Sequence, residues 1–389
     1  MKNLVKTADR LLRCAIASGD VPGVVAAVTD RNKTVYEAAF GERVLGQGPA
    51  MTTDTVMWIA SMTKPVTGVA AMQMVEQGKL SLDEPASKVI PALGEVKVLE
   101  GWDGDSPRLR EAKGVITLRN LLTHTSGYAY DIWNANIDKY LNVTGLPRTG
   151  TGRNIALTTP LASDPGTRWE YGIGIDWAGK MVEAASGQQL GDYMKQHIFG
   201  PLGMDSTAYR ITPSMRERLA KVHQREADGL LNVTAFEVNQ EPEYEPGGGG
   251  LYSTAVDYLK FMRMILNKGR SGGRQLLKPE TIDLMSRNSM GALRVVKLPA
   301  ARTALSCDAE FFEGTPKTWG LTFMINEAVA YTGRPAGSLA WAGLGNTYFW
   351  IDPKNGIGGV HMAQVLPFVD PRALAGFYAF EKSVYEALG

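Results

Sequence analysis

An α+β fold is predicted, with one sheet drawn from both ends of the chain and a mainly helical region inserted between them. Three observations predict it. Strand-like runs lie near the N-terminus, "GVVAAVTD" (23–30) and "KTVYEAAFG" (33–41). Others cluster in the C-terminal part: "WGLTFMIN" (319–326), "GSLAWAG" (337–343) and "TYFWIDPKNGIGGVHMAQV" (347–365). From about 117 to 285 helical patterns dominate, as in "DWAGKMVEAASG" and "TAVDYLKFMRMILNKG", separated by Pro/Gly loops. Strands at both ends with helices between imply a discontinuous sheet domain, 1–85 and 286–389. The mainly helical domain is then 86–285, with the active site in the cleft between the two.

The elements follow in chain order. "MKNLVKTADRLLRCAIASGD" carries Leu4, Val5, Ala8, Leu11, Leu12 and Ala15 at helical spacing, with charges every few residues. It reads as an amphipathic helix and not as a signal peptide, so a cytoplasmic protein is expected. Two strands joined by a short polar turn come next. "WIASMTKPVTGVAAMQMVEQG" (58–78) then starts a helix near Ser61, with Val66, Val69, Ala70, Met74 and Val75 as its apolar face. Gly78 suits its C′ position. Residues 80–115 are rich in Pro, Gly and Asp and predict irregular structure. The last two strands form a hairpin turning at Asp352–Gly356, and "PRALAGFYAFEKSVYEAL" closes the chain as an amphipathic helix.

Composition narrows the function. The 389 residues include 41 Lys plus Arg against 40 Asp plus Glu, a net charge of +1. That balance favours neither nucleic acid nor an anionic membrane surface, and it leaves the oligomeric state open. Cys14 and Cys307 match no metal or redox spacing, and the four histidines form no cluster, so no metal or other cofactor is expected. No apolar run approaches the length of a membrane span.

Two serines compete as nucleophile. "GRSGG" (269–273) matches G-x-S-x-G in letters, but that motif needs a sharp strand-to-helix elbow. Here it joins two helical patterns, so Ser271 reads as a turn residue. Ser61, three residues before Lys64, has the better context. On a helix, i and i+3 side chains are neighbours, so the ammonium reaches the hydroxyl. The unpaired N–H groups of the first turn favour a developing oxyanion. Between Lys64 and Glu76 no other charge occurs. Such a charge-poor setting lowers a lysine pKa; a base near neutrality needs a drop of roughly 3 pH units, about 4 kcal/mol. The base need not be imidazole.

Three further stretches complete a pattern: "LLTHTSGY" (121–128), "WEYGIGIDWAG" (169–179) and "PGGGGLYSTAVDYLKF" (246–261). Together with "SMTK" and "WAGLGNTYFWIDP", in this order over nearly the whole chain, they resemble the serine β-lactamase and D-alanyl-D-alanine peptidase superfamily. The family VIII carboxylesterases and the fungal statin side-chain acyltransferases are the branch most resembled. The resemblance implies a β-lactamase/transpeptidase-like fold, a mostly antiparallel sheet flanked by helices. It implies that Ser61 is acylated, that Lys64 moves its proton and that Tyr171 of "EYG" relays it. The backbone N–H groups of Ser61 and Leu344 would form the oxyanion hole, contributing roughly 3 kcal/mol each.

Departures from the family pattern bear on the substrate. Where β-lactamases carry a Lys- or His-led triplet that meets a carboxylate, this chain has Trp341–Ala342–Gly343. The cation is gone and Trp341 offers an apolar wall, which suits a neutral ester. Ile173 replaces the asparagine of Y-x-N. Tyr128, Tyr130 and Trp133 are candidates for an acyl pocket, with Trp341 and Gly343. His124 reads as a structural histidine, and glycines 247–250 as a run that lets the backbone pass close to the cleft. The reading is a serine carboxylesterase for neutral, short- to medium-chain small-molecule esters. Acyl transfer to an alcohol and weak cephalosporin hydrolysis are the alternatives.

Overall fold

The computed structural model describes residues 2–389. Its centre is a seven-stranded antiparallel sheet. The first helix, α1 (Lys2–Ala17), precedes β1 (Gly23–Asp30) and β2 (Thr34–Gly41). The Ser61 helix is α2 (Thr63–Glu76), followed by α3 (Gly174–Ser186) and α4 (Ala255–Leu266). The C-terminal part supplies β3 (Lys317–Trp319), β4 (Met324–Asn326), β5 (Leu339–Gly343), β6 (Thr347–Asp352) and β7 (Ile357–Met362). Helix α5 (Pro371–Glu386) ends the fold, started by Pro371 and by Asp370, whose carboxylate accepts from the N–H groups of Arg372 and Ala373. The strand order is β3-β4-β5-β6-β7-β1-β2.

The two chain ends join where β1 meets β7, from Val25 opposite Met362 to Asp30 opposite Ile357. Both strands are apolar on both faces because helices cover both. Adjacent glycines of β7 show this through the two-residue period of a strand. A Cβ on Gly358 would lie 2.5 Å from Met262 Cε of α4, whereas one on Gly359 would lie 2.2 Å from the Trp350 ring. Trp350 packs in turn on Phe377 and Phe380 of α5. Helix α1 lies on the α5 side, with Leu4, Ala8 and Leu12 buried.

Several local expectations change. The run 319–326 is not one strand but the hairpin β3–β4, with Trp319 opposite Met324 and Thr322 at φ +80° in the turn. The turn lies inside the core, so its residues are as apolar as a strand's. Residues 80–115 contain a two-stranded hairpin, Lys97–Asp103 with Ser106–Glu111. Its second strand is half-buried or exposed throughout, which removes the alternation that marks a strand. Helix α2 has no single apolar face: every residue from Thr63 to Met74 is buried. It ends at Gly78, in the left-handed region at φ +70°. Val5 of α1 points to solvent. Helix α4, from the middle of the chain, packs against β1, β6 and β7. Among the described residues, no helix is long and apolar enough to cross a membrane.

Candidate active site

Ser61 sits in a tight 3-10 turn, Ala60–Met62, immediately before α2. The chain arrives by the short strand Met57–Trp58, paired with Tyr252–Ser253. The Gln364 amide clamps Trp58, accepting from its N–H and donating to its carbonyl, both at 3.0 Å. Ala60 is held at φ +44°, a conformation unfavourable for a residue with a Cβ. This strained turn presents the Ser61 hydroxyl to a cleft.

Lys64, in the first turn of α2, is fully buried. Its Nζ donates to Ser61 Oγ at 2.9 Å, to Tyr130 Oη at 3.2 Å and to the Gly248 carbonyl at 2.6 Å. An ammonium has three donors, and all three are taken. Burial pushes Lys64 down to about 7, with the charge of Asp176 acting in the opposite direction. The drop that the sequence called for is therefore present, and its cause is desolvation.

Tyr171 is buried beside this pair, with Lys64 Nζ 4.7 Å from its ring centroid. Its phenol oxygen accepts from the indole N–H of Trp341 at 2.9 Å. Burial raises the phenol above its ordinary value, and hydrogen bonding with Ser61 and Trp341 only partly offsets this. Tyr171 is thus a neutral phenol. His124 packs 4.6 Å from the Tyr171 ring and accepts from the Gly172 N–H through Nδ1 at 3.3 Å. Burial, and then the neighbouring Lys64, lower its pKa well below the usual value, so it stays neutral.

The cleft over Ser61 has a volume of about 360 Å³ and draws on both parts of the chain. Ser61, Ile132, Trp133, Phe236, Leu344 and Leu366 are among the residues that line it. Arg148 and Arg302 reach it too, but Asp131 accepts from both, at 2.7 and 2.9 Å, and Asp138 also pairs with Arg148.

Of the five pocket candidates, Tyr130 and Trp133 line the cleft and the other three do not. Tyr128 is buried behind it, stacked on Trp177 with ring centroids 6.3 Å apart. Trp341 lies behind Tyr171, among Trp319 and Phe311, because its N–H is spent on the phenol. Gly343 ends β5 against the Ser61 turn, where an added Cβ would lie 2.2 Å from the Ile59 carbonyl oxygen. Leu344, the next residue, is past the β5–β6 ladder, so its N–H is not spent in the sheet. Ser271 lies elsewhere, in a two-residue strand paired with Arg274–Gln275 between two helices.

Sequence reasoning missed Asp176 altogether and gave Tyr130 and Gly248 only general roles. The one available signal was an acid among the apolar residues of "GIGIDWAG". Its oxygens accept from the Gly248 N–H at 2.9 Å and from Tyr130 Oη at 3.4 Å.

These features place a buried lysine against a cleft-facing serine beside an antiparallel sheet, and comparison with known proteins assigns the lineage. The family described as Beta-lactamase matches residues 8–382, and the chain belongs to that family. Monacolin J acid methylbutanoyltransferase of Aspergillus terreus is 32% identical, over 97% of this chain and 94% of its own. Lovastatin esterase of Penicillium rubens is 34% identical, over 97% of each chain. The unliganded structure of simvastatin synthase from Aspergillus terreus superposes with a TM-score of 0.83 at 30% identity, covering 99% of this chain and 98% of that one. The expected resemblance to the statin acyltransferases is borne out, as is the β-lactamase-like fold.

Proposed function

We propose that the protein is a serine carboxylesterase acting on neutral small-molecule esters through an acyl-enzyme on Ser61. The observation that carries this reading is the 2.9 Å contact between Lys64 Nζ and Ser61 Oγ, with the lysine fully buried and the serine facing an apolar cleft. In its neutral form Lys64 takes the Ser61 proton as Oγ attacks the ester carbonyl. The N–H groups of Ser61 and Leu344 hold the oxyanion. The departing alkoxide receives a proton through Lys64 and the neutral Tyr171. Water then enters by the reverse sequence and releases the acid.

The cleft supports the substrate class. Its walls are mostly apolar, its two arginines are balanced by Asp131 and Asp138, and about 360 Å³ suits a short to medium acyl group. Acyl transfer to an alcohol is the second reading. It is favoured by relatives of similar identity that include both a methylbutanoyltransferase and an esterase.

Turnover of p-nitrophenyl acetate to octanoate by wild type, Ser61→Ala, Tyr171→Phe and Ser271→Ala tests the assignment. Ser61→Ala is expected to lose activity by roughly 10³-fold or more, and Ser271→Ala to keep it. Activity retained in Ser61→Ala overturns the assignment. Adding a small alcohol separates the two readings: transfer product in excess of free acid favours the acyltransferase.

A further inference from the structure

We propose that Asp176 is the positioning residue of this site: its carboxylate fixes two of the three acceptors that hold Lys64 against Ser61 and supplies the ammonium's counter-charge. This rests on the acyl-enzyme reading above and deepens it.

The geometry starts from the lysine. Its three acceptors are Ser61 Oγ, Tyr130 Oη and the Gly248 carbonyl. The first is the group it serves; the other two decide where its nitrogen sits. Asp176 accepts from the N–H of Gly248 and from Tyr130 Oη, so both of those acceptors are tied to one carboxylate. The packing leaves no slack. A Cβ on Gly248 would lie 2.5 Å from Tyr130 Oη and 2.8 Å from Asp176 Oδ2, so only glycine fits between them. Thr67 anchors the same loop from α2, donating to the Gly247 carbonyl at 2.7 Å.

Asp176 lies in the first turn of α3, where the helix dipole favours a negative charge. Ile173 is the N-cap, and no side-chain cap bond is made there. The carboxylate thus spends its lone pairs on segments 46 and 72 residues away in sequence instead of capping its own helix. Burial raises the Asp176 carboxyl above its ordinary value and the positive charge of Lys64 opposes this; left without that cation, a buried carboxylate would cost several kcal/mol.

The groups facing the pair from the surrounding elements are neutral. Tyr130 and His124 come from the 124–133 segment, Tyr171 from the stretch before α3, and Tyr209 and Tyr244 from the loops around 209 and 244. Burial raises all four phenols and lowers the imidazole, so none is charged through the neutral range. Glu245, beyond Tyr209, accepts from the Gly191 N–H. Ionised Asp176 favours protonated Lys64, which is inactive as a base. Removing that charge therefore makes neutral lysine available at lower pH.

The test is the pH profile of kcat/KM for p-nitrophenyl butyrate in wild type, Asp176→Asn, Tyr130→Phe and Ser61→Ala, with folding followed by thermal melting. In wild type the acid limb should fall near pH 7, activity rising as Lys64 loses its proton. Asp176→Asn keeps the shape and an acceptor for Gly248 but not the charge. Its acid limb should move down by about one pH unit, a shift that a merely structural residue would not produce. Tyr130→Phe keeps the charge and removes the hydroxyl link. It should lower kcat about tenfold with KM changed less than about twofold.

A folded Asp176→Asn with the wild-type limb overturns the proposal. If that variant does not fold, Tyr130→Phe with wild-type kcat overturns it instead. Release of nitrophenolate that does not depend on Ser61 would overturn the acyl-enzyme reading itself, and this proposal with it.

Discussion

Replacing Trp341 by Phe separates two roles for that residue. As a wall of the acyl pocket, Trp341 would touch the substrate; as the structure places it, its indole N–H holds the Tyr171 phenol at 2.9 Å, with both side chains buried. Phe preserves a ring against Trp319, 4.7 Å away centroid to centroid, and against Phe311, 5.8 Å away. What is lost is one buried hydrogen bond, and the phenol oxygen loses the donor that partly offsets its burial. A buried acceptor left without its donor costs about 1–3 kcal/mol. If about 1.4 kcal/mol of that is lost from the transition state, kcat falls about tenfold. The assay is kcat and KM for acetyl, butyryl and octanoyl aryl esters. A drop in kcat of similar size for all three, with KM changed less than about twofold, is expected. Unchanged kcat, with KM changing according to acyl length, would refute the reasoning and restore Trp341 to the pocket wall.

Two further predictions follow from close packing and from buried charge. In Gly343→Ala the new Cβ would lie 2.2 Å from the Ile59 oxygen and 2.3 Å from Thr347 Oγ1, so the end of β5 must retreat from the Ser61 turn and take the Leu344 N–H with it. Loss of that donor should cut kcat by about 10²–10³, and a kcat within twofold of wild type would count against Leu344 in the oxyanion hole. Far from the cleft, Arg334 Nε donates to Glu381 Oε1 at 2.6 Å, and both side chains are buried. Arg334→Met leaves the carboxylate unpaired, and urea unfolding should show a loss of about 3–5 kcal/mol; a loss under about 1 kcal/mol would contradict it.

Local patterns were legible wherever the determining forces are local. The i, i+3 spacing of Ser61 and Lys64 survives folding because a helical turn makes such neighbours. Gly78 ends its helix as expected, and the hairpin 347–362 turns where Asp352–Gly356 said it would. Gly358 and Gly359, by contrast, carried no visible meaning, because their reason is the side chains of α4 and α5 pressing on either face. The run 319–326 misled for a related cause: a turn inside the core is as apolar as a strand.

The sequence by itself determined that Ser61 and Lys64 form a pair at the start of a charge-poor helix, within sheet and helix segments ordered as in the β-lactamase family. Only the tertiary structure decided what surrounds that pair. Tyr130 and Gly248 reach Lys64 from 66 and 184 residues away, Asp176 holds both of them, and Trp341 meets Tyr171 across 170. Periodicity and spacing carry information over a few turns, whereas these contacts arise when separate elements are buried together. Desolvation, which sets the lysine's charge, exists only once that burial is complete.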